Sequence, residues 1–171
     1  CVLTNDESSP LWCYGINEQG QISGEQPADL AASVRLPGIN DIPTSVHAFH
    51  SGSCAVGGAE VGARNKLWCW GDNSHKQLAS DQVSDSDRRN PRLIHQEPEG
   101  SSVALVAQGT LAKFRCIDVG GAINCWGRND VDQTGNRYAG ENAATMQALT
   151  LDPDEQPRGA QDSDDDALAH C

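Results

Sequence analysis

The segment Leu67-Trp68-Cys69-Trp70-Gly71-Asp72-Asn73 has two close counterparts elsewhere in the chain. They are Leu11-Trp12-Cys13-Tyr14-Gly15-Ile16-Asn17 and Ile123-Asn124-Cys125-Trp126-Gly127-Arg128-Asn129. Every copy follows the order apolar, any residue, Cys, aromatic, Gly, any residue, Asn. The central cysteines are 56 residues apart in both intervals. Self-similarity at a fixed period of this length is the signature of a repeat architecture, so the chain is predicted to contain three tandem repeats.

Two further series of residues have nearly the same period. A glutamine stands four residues beyond each asparagine, and a leading cysteine precedes the central cysteines by 12, 15 and 9 residues. The glutamines are Gln21, Gln77 and Gln133, and the leading cysteines are Cys1, Cys54 and Cys116. Cys171 is the next member of the leading series, 55 residues after Cys116. We therefore divide the chain into units of about 1–53, 54–115 and 116–170, with Cys171 beginning a further repeat.

One period contains four short apolar or alternating runs bounded by turn residues. They are Val34–Leu36, Val46–Phe49, Cys54–Val56 and Leu67–Trp70. Such short runs favour strands over helices, which would need about ten or more residues with a periodicity of 3.6. Four antiparallel strands in about 56 residues are typical of a β-propeller blade. The predicted fold is all-β, with three blades that form an incomplete or open propeller, because closed propellers have about four to eight blades.

The alternation of side chains along a strand predicts disulfide bonds. Cys69 points to the opposite face of its strand from Trp68 and Trp70. On that face it meets Cys54 of the neighbouring antiparallel strand, at a separation that a disulfide can span. The same relation predicts three pairs, Cys1–Cys13, Cys54–Cys69 and Cys116–Cys125. Cys171 is left unpaired, so we expect it to bond to a cysteine of a longer chain or of another copy.

Zinc binding is the competing interpretation of the cysteines. The chain has seven cysteines and five histidines, but no Cys-x-x-Cys pair, and the histidines do not recur with the cysteines. This pattern does not match the usual spacing of zinc ligands, so no metal or other cofactor is predicted. Disulfides persist in oxidising compartments, which indicates an extracellular or cell-surface location.

The other residues of the repeat motif are predicted to be structural. The glycine suggests a backbone that turns or approaches a neighbour closely, and the asparagine can bond its own backbone in an Asx-turn. The aromatic residues are expected to pack in the core or between blades. The motif residues are Tyr14, Gly15, Asn17, Gln21, Trp70, Gly71, Asn73, Gln77, Trp126, Gly127, Asn129 and Gln133.

The extended motif resembles the repeat of the regulator of chromosome condensation family, whose pattern is Trp-Gly-x-Asn-x-x-Gly-Gln-Leu-Gly. The matching segments are Tyr14–Ser23, Trp70–Ala79 and Trp126–Gly135. The resemblance implies blades of a seven-bladed propeller, and the paired cysteines are similar to the bacterial and extracellular branch of the family.

The chain departs from the family pattern at the first glycine after the asparagine. That glycine is present as Gly20 but is replaced by Lys76 and Asp132 in the other two repeats. We expect those two turns to adopt another conformation, because glycine enters left-handed backbone regions most readily.

Charge and hydropathy exclude two classes of partner. The net charge of −12 opposes binding to nucleic acid and to anionic lipid surfaces, which attract cationic proteins. The longest apolar run, Val103–Ala107, has five residues and is far too short to span a bilayer as a helix. We therefore expect neither nucleic acid binding nor membrane insertion.

The sequence contains no nucleophile–base pair, phosphate loop or metal motif, so we do not expect an enzyme. The family's propellers include exchange factors, photoreceptors, enzyme inhibitors and surface proteins, so the resemblance alone does not define a function. The preferred interpretation is a non-catalytic extracellular scaffold that binds a protein or a glycan. The alternative is a structural subunit of a surface fibre assembled from further copies.

An acidic segment near the end of the sequence has two interpretations. The carboxylates between Asp152 and Asp166 could supply oxygen ligands to calcium, but their spacing fits no EF-hand loop. A solvated loop is the preferred interpretation of this segment.

Overall fold

The computed structural model describes residues 1–5, 10–22, 32–37, 41–81, 87–106, 113–135 and 141–148. The regular elements among them are β-strands and one short 3-10 helix, Asp87–Arg89. The strands are β1 Val2–Leu3, β2 Leu11–Cys13, β3 Ala32–Ser33, β4 Ile42–Ala48, β5 Gly52–Gly58, β6 Lys66–Gly71, β7 Arg92–Gln96, β8 Val103–Leu105, β9 Phe114–Val119, β10 Ala122–Arg128 and β11 Asn142–Ala148. Within these ranges, no helix is long and apolar enough to cross a membrane.

The strands form three antiparallel sheets, which we call blades 1, 2 and 3. Blade 1 contains β1–β3, blade 2 contains β4–β7 and blade 3 contains β8–β11, each strand pairing with its neighbours in sequence. The all-β prediction is confirmed, and blades 2 and 3 have the predicted four antiparallel strands. Among the described residues, the three blades do not close into a ring.

Three of the four predicted runs coincide with strands, and one does not. Strands β4, β5 and β6 lie where the second, third and fourth runs were predicted. The prediction for Val34–Leu36 was wrong, because the strand there is Ala32–Ser33. Val34 directly follows that strand, donates its amide to the carbonyl of Leu11 over 2.9 Å, and is buried. Its apolar character reflects packing between blades 1 and 2 rather than continuation of the strand.

The sheets are offset from the sequence units. Cys54 and Cys116 begin units, yet they lie on β5 and β9, the second strands of blades 2 and 3. The unit 54–115 therefore combines three strands of blade 2 with the first strand of blade 3.

The core lies between the blades, because each sheet has two different faces. We call the side that carries the disulfide the disulfide face, and the opposite side the tryptophan face. The disulfide face of blade 1 packs against the tryptophan face of blade 2, where Ala55 and Trp70 are buried. The disulfide face of blade 2 packs in the same way against Ile117 and Trp126 of blade 3. Stacked faces of this kind hold consecutive repeats together by burying apolar surface.

Candidate functional site

The cysteines of each blade face each other across adjacent antiparallel strands. Cys54 is the direct partner of Cys69 in the register of β5 and β6, and Cys116 is the direct partner of Cys125 in β9 and β10. The structure contains all three predicted bonds, Cys1–Cys13, Cys54–Cys69 and Cys116–Cys125, with Cα atoms 4.0, 4.1 and 4.2 Å apart. Cys171 lies outside the described residues.

The asparagine and glutamine of the motif hold one loop after each tryptophan-bearing strand. The asparagine Oδ1 accepts a hydrogen bond from the amide five residues later, at 2.9 Å for Asn17, 2.8 Å for Asn73 and 3.0 Å for Asn129. The asparagine does bond to nearby backbone as predicted, but over five residues, which is longer than the span of an Asx-turn. The Oε1 of each glutamine accepts a bond from the amide two residues earlier, over 2.8, 2.8 and 3.0 Å. These bonds give three loops of the same shape, which we call glutamine loops.

The expectation of a different conformation at Lys76 and Asp132 was wrong. Both residues have left-handed backbone, with φ of 64° and 60°, as does Gly20 with φ of 78°. The amide of each of the three donates to the carbonyl of the motif asparagine, over 3.1, 3.3 and 3.1 Å for Lys76, Asp132 and Gly20. The hydrogen bonds of the glutamine loop therefore override the local preference of the side chain.

Glycine at position 132, the left-handed position of the third glutamine loop, is expected to stabilise the fold. Asp132→Gly should raise the free energy of unfolding by about 0.5–1 kcal/mol, because it relieves a left-handed residue that carries a Cβ. Gly20→Ala should have the opposite effect, since its Cβ would lie 2.8 Å from the Cα of Arg89. Chemical denaturation of both variants would test this pair, and equal stability of Asp132→Gly and the parent would contradict the proposed strain.

The motif glycines permit a close approach of neighbouring strands in two blades. A Cβ on Gly71 would lie 2.5 Å from the carbonyl oxygen of Ser51, and one on Gly127 would lie 2.7 Å from that of Lys113. Gly15 has no heavy atom within 4 Å of such a Cβ. The predicted close approach is therefore present in blades 2 and 3, while Gly15 shares only the positive φ.

The tryptophans join each blade to the preceding glutamine loop. The indole Nε1 of Trp70 donates to the carbonyl of Gln21 over 3.0 Å, and that of Trp126 donates to the carbonyl of Gln77 over 2.8 Å. Both side chains are almost fully buried. Tyr14 stands at the same repeat position in blade 1 but is 67% exposed. Two of the three aromatic residues therefore pack between blades as predicted, and the third lies at the surface.

A buried charge lies at the junction of blades 2 and 3. Arg115 is 3% exposed, and its guanidinium carbon lies 3.8 Å from the centroid of the Phe49 ring. Burial lowers the pKa of Arg115 to about 10, although the Asp72 carboxylate opposes the shift, so the side chain stays charged at neutral pH. Burial alone would raise the pKa of Asp72, but hydrogen bonds from Ser74 and Gln77 hold it below the usual value. A cation on an aromatic face with a carboxylate in its field is a favourable arrangement for a buried guanidinium.

The junction of blades 1 and 2 has no counterpart of Arg115 and contains a cleft. Ser53 directly precedes the leading cysteine of blade 2, as Arg115 does in blade 3, and Ile16 takes the repeat position of Asp72. The cleft has a volume of about 220 Å³. Its lining includes the Cys1–Cys13 disulfide, Tyr14, Ile16, Ala48, Phe49 and His50. Ser53 is thus one of the residues that line the cleft, at the repeat position that a long arginine takes in blade 3.

Sequence reasoning missed Arg115, Phe49, Asp72 and the cleft. The available signal was an arginine between the apolar Phe114 and Cys116. Within the described ranges, no three His, Cys, Asp or Glu side chains converge in a way that could hold a metal ion. The acidic segment between Asp152 and Asp166 lies outside those ranges.

No protein-family model and no curated protein matches the chain. Solved structures do match it. Human WBSCR16 superimposes with a TM-score of 0.67 and 18% identity, over 85% of this chain and 36% of that one. Yeast RCC1 (Prp20) bound to Kap60 superimposes with a TM-score of 0.62 and 12% identity, over 84% of this chain and 32% of that one. Prp20p from Saccharomyces cerevisiae superimposes with a TM-score of 0.57 and 13% identity, over 82% of this chain and 32% of that one.

The chain has an RCC1-like β-propeller fold. This agrees with the resemblance seen in the repeat motif, and at these identities the likeness concerns the fold alone. The chain spans about a third of the length of these RCC1-like structures.

Proposed function

We propose that this RCC1-like chain is a non-catalytic extracellular scaffold that binds a protein through the cleft between blades 1 and 2. The cleft is the observation that carries the proposal, because its lining brings the aromatic residues Tyr14, Phe49 and His50 together with the apolar residue Ile16. Its volume of about 220 Å³ is below the range of about 300–1,000 Å³ that is usual for small-molecule sites. A single protruding side chain or sugar ring suits this volume better than a whole metabolite.

A protein partner is favoured over a glycan by two considerations. Yeast RCC1 (Prp20) was solved bound to Kap60, and Prp20p is described with binding properties to Gsp1p and histones, so propellers of this fold bind proteins. The net charge of −12 also favours the approach of a cationic partner, while it disfavours nucleic acid. A glycan that stacks on the aromatic rings is the other ligand to be tested.

The binding experiment uses the oxidised chain and one blocking variant. Selection from a peptide display library and screening on a glycan array should return ligands for the unmodified protein. Ala48 lines the cleft and is exposed, so Ala48→Arg places a long cation at its rim. The variant should bind a selected peptide about 10-fold or more weakly than the parent does, which corresponds to about 1.4 kcal/mol of binding free energy. Val61→Arg is the matched control, because it makes a similar change at a residue that is 91% exposed and is not among the residues that line the cleft.

The outcomes separate the ligand classes. Peptides that bind the Val61→Arg variant as well as the parent, but bind the Ala48→Arg variant more weakly, would support protein binding at the cleft. If only glycans showed this difference between the two variants, the ligand of the cleft would be a sugar and not a protein. Equal binding to both variants, or no ligand from either library, would contradict a binding role for the cleft.

The extracellular location is supported by the three disulfides, since such bonds persist in oxidising compartments. Peptide mapping of alkylated native material, without reduction, tests it directly. Free thiols at the six paired positions would contradict an oxidising location. A fibre subunit remains the alternative function, and electron microscopy of native material would favour it only if continuous filaments were seen instead of discrete particles.

A further inference from the structure

A continuous network of hydrogen bonds leads from the surface into the junction of blades 2 and 3. The Nδ1 of His75 lies 2.8 Å from the Ser74 hydroxyl, and that hydroxyl donates to the Asp72 carboxylate over 2.8 Å. The side chain of Gln77 joins the network, since its Nε2 donates to Asp72 over 3.1 Å and its Oε1 accepts from the amide of His75 over 2.8 Å. The main-chain carbonyl of Gln77 accepts the indole of Trp126. The network therefore connects an imidazole in the glutamine loop of blade 2 with the side chain that anchors blade 3.

The direction of these bonds determines the tautomer of His75. A hydroxyl has one proton to donate, and the proton of Ser74 goes to the ionised Asp72 carboxylate, which can only accept. The Nδ1 of His75 must therefore carry the hydrogen of its bond to Ser74. A second proton enters the ring at Nε2 and leaves the network intact. Protonation of His75 thus adds a charge without removing a hydrogen bond, so its effect on the junction is electrostatic.

The surroundings of His75 disfavour a positive charge on the imidazole. Lys113 lies just before β9 and Arg128 ends β10 in blade 3, and the Arg128 amide donates to the Lys113 carbonyl over 3.0 Å. Desolvation by burial, and after it the fields of these two cations, lower the pKa of His75. The carboxylates of Asp72 and Asp130 oppose the shift without reversing it, and Asp130 is bonded to Arg128. A charged imidazole would therefore be held against two cations of the neighbouring blade.

We propose that His75 makes the junction of blades 2 and 3 sensitive to acid, because a charged imidazole in the glutamine loop of blade 2 repels Lys113 and Arg128 of blade 3. Docking of blade 3 depends on this loop, since the loop accepts the indole of Trp126. The undocked state takes up the proton more readily, because its imidazole is solvated and away from both cations. Docking is therefore strongest above the ordinary histidine pKa of 6.5 and weakens as the pH falls below it. Asp72 stays ionised in this range, because its pKa is lowered from 3.8. The proposal does not depend on the cleft.

Hydrogen exchange of the full oxidised chain, followed by NMR at about pH 7.5 and about pH 5, tests the proposal. Protection factors, which allow for the intrinsic pH dependence of exchange, should fall about 3-fold or more at acid pH for the Trp126 indole and for β8–β11. His75→Asn should match the parent at neutral pH and remove most of this decrease, because the amide keeps a donor for Ser74 but takes up no proton. His95→Asn is the matched control and should leave the decrease unchanged, since His95 bonds to Glu97 and not to the network.

Titration of His75 itself separates the charge effect from a loss of folding. Nitrogen chemical shifts of the ring should show hydrogen at Nδ1 in the neutral form and a titration midpoint below 6.5. Lys113→Gln leaves the network untouched, and it should raise that midpoint and lessen the decrease in protection at acid pH. An Nε2–H tautomer, a midpoint at or above 6.5, or an equal decrease in His75→Asn and the parent would overturn the proposal. So would a decrease that disappears in His47→Asn instead, because His47 is another imidazole whose pKa is lowered.

Discussion

Replacing Trp126 with alanine is expected to lower the free energy of unfolding by about 4 kcal/mol. The side chain is fully buried between blades 2 and 3, and its indole donates to the carbonyl of Gln77 over 2.8 Å. The loss combines the removed apolar surface, the cavity that remains, and an unsatisfied carbonyl. Denaturation in guanidinium under oxidising conditions would measure it. A decrease of this size is a large part of the roughly 5–15 kcal/mol that is typical of a domain.

Two companion variants separate packing from the hydrogen bond. Trp126→Phe keeps an aromatic ring but loses the donor, so it should cost less, about 1–2 kcal/mol. Tyr14→Ala occupies the same repeat position at a surface that is 67% exposed, and should cost about 0.5 kcal/mol or less in dilute protein. If Trp126→Ala and Tyr14→Ala were equally destabilising, Trp126 would not be the anchor of blade 3. Hydrogen exchange should also become faster in β8–β11 before it does in β4–β7, because repeats are stabilised through their neighbours.

The features of the fold that could be predicted are those that depend on the period and on strand alternation. Cys54 and Cys69 lie on one face and Trp70 on the other because successive side chains point in opposite directions. Once the repeat was recognised, that rule was sufficient for the disulfide pairs and for the burial of Trp70 and Trp126. It was less successful for Val34, since an apolar residue that packs just beyond a strand has the same pattern as one inside it.

The features that could not be predicted depend on contacts that the preferences of single residues do not contain. Lys76 and Asp132 adopt a glycine-like backbone because hydrogen bonds from amides five residues beyond the motif asparagine close the loop, and local propensity does not contain those bonds. Arg115 would be expected at the surface, and its burial is explained by the Phe49 ring and the Asp72 carboxylate of the neighbouring blade. The cleft likewise depends on how Ser53 faces blade 1, which is a relation between two repeats rather than a property of either.

Removal of one disulfide is expected to be the second most damaging change. Cys54 and Cys69 are separated by 15 residues, and the chain-entropy model gives about 3 kcal/mol for a loop of this length. Both residues are buried in the cluster between blades 2 and 3, so Cys54→Ala combined with Cys69→Ala should also lose some packing. The double variant is compared with the parent by guanidinium denaturation. Reduction of the parent with dithiothreitol should have a larger effect, because it opens all three bonds.

The location of the bond should determine where the effect appears. Cys1→Ala combined with Cys13→Ala removes a bond of similar span, 12 residues, from a blade whose described strands have only two or three residues. Its effect should therefore be concentrated in faster hydrogen exchange of β1 and β2, whereas loss of Cys54–Cys69 should loosen β5, β6 and the docked blade 3. Three bonds worth about 3 kcal/mol each are comparable with the whole stability of a typical domain, so the reduced chain should not fold cooperatively. A reduced chain that unfolds in the same cooperative transition as the oxidised one would remove the physical basis for proposing an oxidising, extracellular location.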